Sequence, residues 1–185
     1  KSEEKLKNVT ANVDVITAED IESRKFKTVA EALNTIPGIQ VSPSGGIGQQ
    51  TSVFLRGMNS DKTLVLIDGI RYNDITTPNG AANFEHLMIN DIERIEVIKG
   101  AQSSIWGADA SAGVINIITK SSQDGTHGNA SFEYGRYDTK IAKANISHKN
   151  ENFDAKLGVV RVDTDGFSAK SPKSSEAKNY EDDGY

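Results

Sequence analysis

Residues 92–120 constrain this chain more than any other stretch. They read I-E-R-I-E-V-I-K-G-A-Q-S-S-I-W-G-A-D-A-S-A-G-V-I-N-I-I-T-K. Two apolar-rich runs, 92–98 and 114–119, flank small residues, glycines and Trp106. The first run scores for helix or strand. Ile95 and Val97 alternate with Glu96, and Lys99 closes the run, which predicts a strand from Ile95 on. The residues before this stretch read as a compact mixed domain, and those after it read as thin alternating β-strands. A change of solvent is expected just beyond Lys120.

Composition narrows the class. The 185 residues allow one domain with a proper core, or one domain plus a fragment of another. With 36% hydrophobic and 25% charged residues, the chain is globular but polar. No run approaches the roughly 18–20 apolar residues of a membrane helix. Membrane β-strands stay open, since alternation is their signal. A net charge of -5 argues against a general nucleic-acid binder. Without cysteine there is neither a disulfide scaffold nor a thiolate metal site. The opening K-S-E-E-K-L-K-N has no apolar signal core, so an export signal is removed or never existed. The closing N-Y-E-D-D-G-Y offers no cap or closing strand, as expected of a cut end.

Along the chain, residues 1–12 are a charged, flexible lead-in. Residues 13–17 suit a short strand, and Thr17 with Asp20 forms a capping box for a helix over 18–24. Thr28 caps a second helix with Glu31 at its third position. Val29, Ala32, Leu33 and Ile36 make its apolar stripe, and Pro37-Gly38 stops it. Strands come next at 39–41, 53–56 and 63–67, the last dense enough to be buried on both faces. Between the first two lies a glycine-rich loop, 42–51, whose spacing fails both phosphate-binding patterns. Asp68-Gly69 is a hairpin turn, 73–83 a polar loop, and Phe84, Leu87, Met88 and Ile89 a helical turn that plugs the core. Asn90 is expected to cap the turn after it.

After Lys120 three alternating segments are predicted as strands at about 128–136, 139–149 and 152–163. Each is close to the roughly 9–11 residues that a tilted strand needs to cross a bilayer. The turns are short and the polar run from 164 to 185 is long, an asymmetry seen in outer-membrane barrels. An ordinary antiparallel sheet with one wet face accounts for the alternation equally well.

The motifs V-I-T-A-E-D-I, I-P-G-I-Q-V, F-L-R-G and L-V-L-I-D-G-I-R, with the whole of 92–120, closely resemble the plug domain of TonB-dependent outer-membrane receptors. The match runs in consistent order over 13–120, and the later strands resemble the start of the family's barrel. Within the family the chain is most similar to vitamin B12 (cobalamin) transporters, through P-S-G-G-I-G-Q-Q, M-N-S-D and D-D-G-Y. Ferric-siderophore receptors share most of the plug. The fold implied is an α+β plug at 13–120, a small mixed sheet with short helices and loops. At 121–185 it is succeeded by three antiparallel strands of a truncated, roughly 22-stranded transmembrane barrel.

The resemblance further implies active transport across the outer membrane of a Gram-negative bacterium, with no chemistry on the substrate. TonB would engage a TonB box upstream of Lys1. By position, apical loops at 44–50, 59–61 and 76–79 would contact ligand, with Ser44, Gln50, Asn59, Thr77 and Pro78 as contacts. Arg56 and Lys99 map to cations that lock the plug to carboxylates of the barrel wall. In this chain those partners are missing, so both are expected loosely satisfied or solvated. Lysine at 99, where the family has arginine, cannot make a bidentate fork, and Ala101 replaces a proline.

Cobalamin transporters use calcium to order an outer loop. Glu181, Asp182 and Asp183 offer the hard oxygens calcium takes, yet Ser168 replaces an acid, and a solvated charge run is the competing reading. No other cofactor is implied. His86, His127 and His148 show no metal spacing, and no nucleophile–base pair marks an enzyme. A different class, a stand-alone soluble binding module with a plug fold, would close residues 130–159 on themselves. Open strand edges in the isolated chain predict strand exchange between copies.

Overall fold

The computed structural model describes residues 12–74, 76 and 79–166. Its contacts fall into two units. The first holds the chain up to Ser42 together with Thr51–Thr119; the second holds Pro43–Gln50 and the chain from Lys120 on. The expected lead-in lies outside the described residues up to Ala11, and Asn12 already opens the first strand.

In the first unit the chain runs β1 (Asn12–Thr17), α1 (Ala18–Arg24), α2 (Val29–Leu33), β2 (Ile39–Pro43), β3 (Thr51–Leu55), β4 (Thr63–Ile67), β5 (Ile70–Arg71), β6 (Ile92–Lys99), α3 (Ser103–Trp106) and β7 (Gly113–Thr119). Five strands make one sheet in the order β1-β6-β7-β4-β5, while β2 and β3 pair separately. β6 runs antiparallel to both neighbours, and β4 runs parallel to β7.

Residues opposite one another in the ladder share a face. One face carries Ile16, Ile95, Val97, Ile115, Ile117 and Val65 into the main core, against Ile21, Leu33, Phe84 and Ile89. The other carries Leu64, Leu66, Val114 and Ile98, with Ala110 and Trp106 packed over them. β4 is therefore buried on both sides, as its unbroken apolar run predicts.

Local signals act as expected at α1. Thr17 Oγ1 accepts from Asp20 N at 3.2 Å, and Asp20 Oδ2 accepts from Thr17 N at 3.0 Å. The Thr17 backbone and hydroxyl hydrogen bonds hold the Asp20 carboxyl below the usual aspartate range. Thr28 caps α2 through Glu31 N at 3.2 Å. This helix is shorter than its stripe predicts. After Leu33 the chain tightens, and Thr35 N and Ile36 N reach back three residues to Ala32 O and Leu33 O at 3.1 and 3.0 Å. Pro37 disfavours helical backbone at the residue before it.

Three other expectations shift. β6 starts at Ile92, not Ile95, because the register slips between Ile92 and Arg94. That bulge lets Ile92 and Ile95, three apart, both face inward and mimic helical spacing. Asn90 precedes no helical turn, since Asp91 takes a φ of 57° and β6 begins directly. Arg56 lies outside β3, in a turn with a φ of 54°.

The second unit contains β8 (Gly125–Tyr134), β9 (Lys140–Asn150) and β10 (Phe153–Asp163), an antiparallel meander with β9 central. Register places Ala130, Phe132, Ala144, Ile146, Leu157 and Val159 on one face. Ser131, Glu133, Lys143, Asn145 and Lys156 share the opposite face. The apolar face is open, with Phe132 68% and Leu157 64% exposed.

Gly113 is the tightest point of the first unit. At its φ of 153° an added Cβ would stand 2.3 Å from Ile98 O and 2.6 Å from Leu55 Cδ2. Gly113→Ala should therefore destabilise the fold by about 2–3 kcal/mol. A lowered midpoint in denaturant unfolding, tracked by Trp106 fluorescence, is the expected result.

Candidate functional site

The polar end of the first unit is built by the β3–β4 connection and by the loop after β5. Asp68 and Gly69, with φ of 49° and 81°, form the tight turn that sends the chain from β4 into β5. The Asp68 carboxylate also accepts from Thr119 N and Oγ1 at 2.9 and 2.8 Å, tying this turn to the end of β7. Asn73 then acts as a backbone substitute. Only 5% exposed, it accepts from Val65 N at 2.8 Å and donates to Thr63 O and to Gly80 O, both at 3.0 Å.

Asp74 continues the bracing. Its Oδ1 accepts from Thr76 N and Oγ1 at 2.8 and 2.6 Å, and its Oδ2 from Asn83 Nδ2 at 3.3 Å. Tyr72 OH donates to Asn83 O at 3.2 Å. Burial pushes the Tyr72 phenol pKa up, and the nearby charges of Glu85 and Asp74 add to the shift. The phenol therefore stays a neutral donor in this loop.

On the β3–β4 side, Asn59 leads into a 3₁₀ turn, Ser60–Lys62. Lys62 N donates to Asn59 O at 3.0 Å, and Ala112 N donates to Lys62 O at 2.8 Å. Asp61 pairs with Lys62 at 2.8 Å, and its hydrogen bond and charge raise the lysine pKa. Between these pieces lies an open pocket of about 330 Å³, lined by Phe54, Asn59, Ser60, Asp61 and Asn79. Two amides, a hydroxyl and a carboxylate beside one aromatic ring can orient a polar ligand through hydrogen bonds.

Asn59 thus meets Asn79 and Asp61, drawn from two of the loops the sequence marks as apical. Ser44 and Gln50 are brought to each other, since Ser44 N donates to Gln50 O at 2.9 Å and closes their loop, within the second unit. Thr77, Pro78, Glu181, Asp182 and Asp183 lie outside the described residues. Sequence reasoning passed over Phe54 and Asn73. A polar amide directly after the strand pair at 63–72 was the available signal for Asn73.

The two candidate lock cations gather at one corner. Lys99 is not solvated, contrary to expectation. Its side chain is 10% exposed, its Nζ stands 2.6 Å from Asp14 Oδ2, and it donates to Pro37 O at 2.7 Å. Asp14 is distant in sequence, so nothing near Lys99 along the chain signals the pairing. Arg56 donates its backbone N–H to Gly38 O at 2.7 Å, and its Nη1 lies 3.6 Å from where a Gly100 Cβ would stand. Arg56 is exposed, and among the described residues no carboxylate pairs with it.

The chain thus folds as a small mixed sheet with short helices and polar loops braced at one end, followed in sequence by a separate antiparallel meander. The profile of the TonB-dependent Receptor Plug Domain matches residues 5–114, and the chain belongs to that family. It is 38% identical over 180 residues to the vitamin B12 transporter BtuB of Vibrio vulnificus strain CMCP6, covering 97% of this chain and 29% of the relative. It is 44% identical over 126 residues to the vitamin B12 transporter BtuB of Vibrio cholerae serotype O1, covering 67% and 20%. The crystal structure of the siderophore receptor PiuA from Acinetobacter baumannii superposes with a TM-score of 0.70 at 28% identity, covering 90% of this chain and 22% of that one. The chain thus spans less than a third of the length of these relatives.

The bracing makes a prediction. Asn73→Ala should leave Val65 N, Thr63 O and Gly80 O short of partners and cost about 2–3 kcal/mol. Hydrogen exchange of the 74–83 amides should accelerate well beyond that of β6.

Proposed function

We propose that this chain is the plug and first wall strands of a TonB-dependent transport receptor in the outer membrane of a Gram-negative bacterium. The family membership carries the reading. The meander adds to it: strands of 10, 11 and 11 residues match the roughly 9–11 that a tilted membrane strand needs. Their open apolar face would meet lipid, with Tyr134 and Phe153 toward opposite ends, and the polar face would line the lumen.

In this reading the receptor does no chemistry on its cargo. The pocket at Asn59, Asp61 and Asn79 receives ligand from outside, and TonB engages a segment preceding β1. Cobalamin is the cargo favoured by the sequence relatives named vitamin B12 transporters. A ferric siderophore is the second reading, favoured by solved structures of receptors for such ligands.

Calorimetric titration of the full-length receptor with cyanocobalamin and with a ferric siderophore separates these. Cobalamin binding is expected, weakened about three- to tenfold by Asn59→Ala through loss of one hydrogen bond. Siderophore binding alone would reverse the cargo assignment. Uptake that persists in cells lacking TonB would overturn the dependence on TonB, and no loss of uptake on deleting the receptor would overturn the transport reading.

A further inference from the structure

The core face of the five-stranded sheet ends in a charge pair. Asp14 stands opposite Val97, and Lys99 stands opposite Asn12, so carboxylate and ammonium meet on a cross-strand diagonal. Nζ and Oδ2 are 2.6 Å apart, and the lysine side chain is 10% exposed. Asp14 Oδ2 is enclosed yet lacks an aligned hydrogen bond, so charge attraction holds it. The Lys99 ammonium also donates to Pro37 O at 2.7 Å, which joins β1, β6 and the turn before β2 at one point.

That position matters because β1 is an edge strand whose ladder runs to β6 alone. Its later part is anchored by buried Ile16 and the capping box at Thr17, whereas Asn12 is exposed and Val13 half-buried. Among the described residues, the start of the strand is held by its ladder to β6 and by this pair. An ammonium this little exposed favours a carboxylate beside it, because water can solvate it only in part. Asp14 supplies it from inside the domain.

We propose that Asp14, Lys99 and the Pro37 carbonyl form a latch that fastens the edge strand β1 to the domain. Arg56, anchored at neighbouring Gly38, is then the cation this corner offers outward. Lifting β1 takes Asp14 away and leaves Lys99 as a second positive charge beside the Pro37-Gly38 turn. The last two consequences rest on the plug reading; the latch itself does not.

Hydrogen exchange of the full-length protein in detergent tests it. Asp14→Asn and Lys99→Met should each speed exchange of the β1 amides about tenfold, since side chains in direct contact couple by that order. The double variant Asp14→Leu with Lys99→Met strands no charge and should return exchange toward the parent rate. Arg56→Gln should leave β1 unchanged. A silent Asp14→Asn, or effects that simply add, would overturn the latch.

The exchange experiment needs neither cargo nor TonB, so its failure would strike the latch and leave the transport reading standing. Failure of cargo binding would do the reverse.

Discussion

The parallel pairing of β4 with β7 is the constraint on which the first unit depends. Parallel strands are held by neighbours on both faces, and this pair has them: Val65 and Ile115 in the main core, Leu64, Leu66 and Val114 under Trp106 and Ala110. To seat β7 between β4 and β6, the chain must enter the strand at Gly113, where no side chain fits. The short α3 and the small residues after it answer the same demand, because they must fold back over one face of the sheet without prising it open.

With the sheet in place, polar chemistry is distributed by what the sheet cannot satisfy. Strand ends and loop backbones need partners, and side chains supply them: Asn73 for β4 and the loop after β5, Asp68 for the end of β7, Asp74 for its own loop. Of these bonds, the one from Asn73 to Gly80 O fixes the chain beside Asn79, which lines one pocket with Asn59 and Asp61. The opposite case is the corner at Pro37-Gly38, where one cation is consumed internally and the other remains outside.

Legibility tracked distance along the chain. The Thr17–Asp20 box, the Thr28 cap, the Asp68-Gly69 turn and the doubly buried β4 were all readable because their causes lie within a few residues. β6 was misplaced at its start because a bulge gave Ile92 and Ile95 helical spacing, and a bulge exists only relative to a partner strand. Of the candidate site, Asn59 and its loops were legible as polar loop residues. Phe54 was not, since a strand residue reads as core until its neighbours are known.

Near neighbours along the chain set the local grammar of this protein: where helices start, where turns close, which strands are buried twice and which alternate. Family membership came from the order of those pieces. Packing settled the rest: that Asn73 serves three backbone groups, that Arg56 and Lys99 gather at one turn, and that Asp14 takes the lysine. The reason is physical. A capping bond is chosen among neighbours already near, whereas a buried polar or charged group must be matched by whatever the packed sheet brings to it.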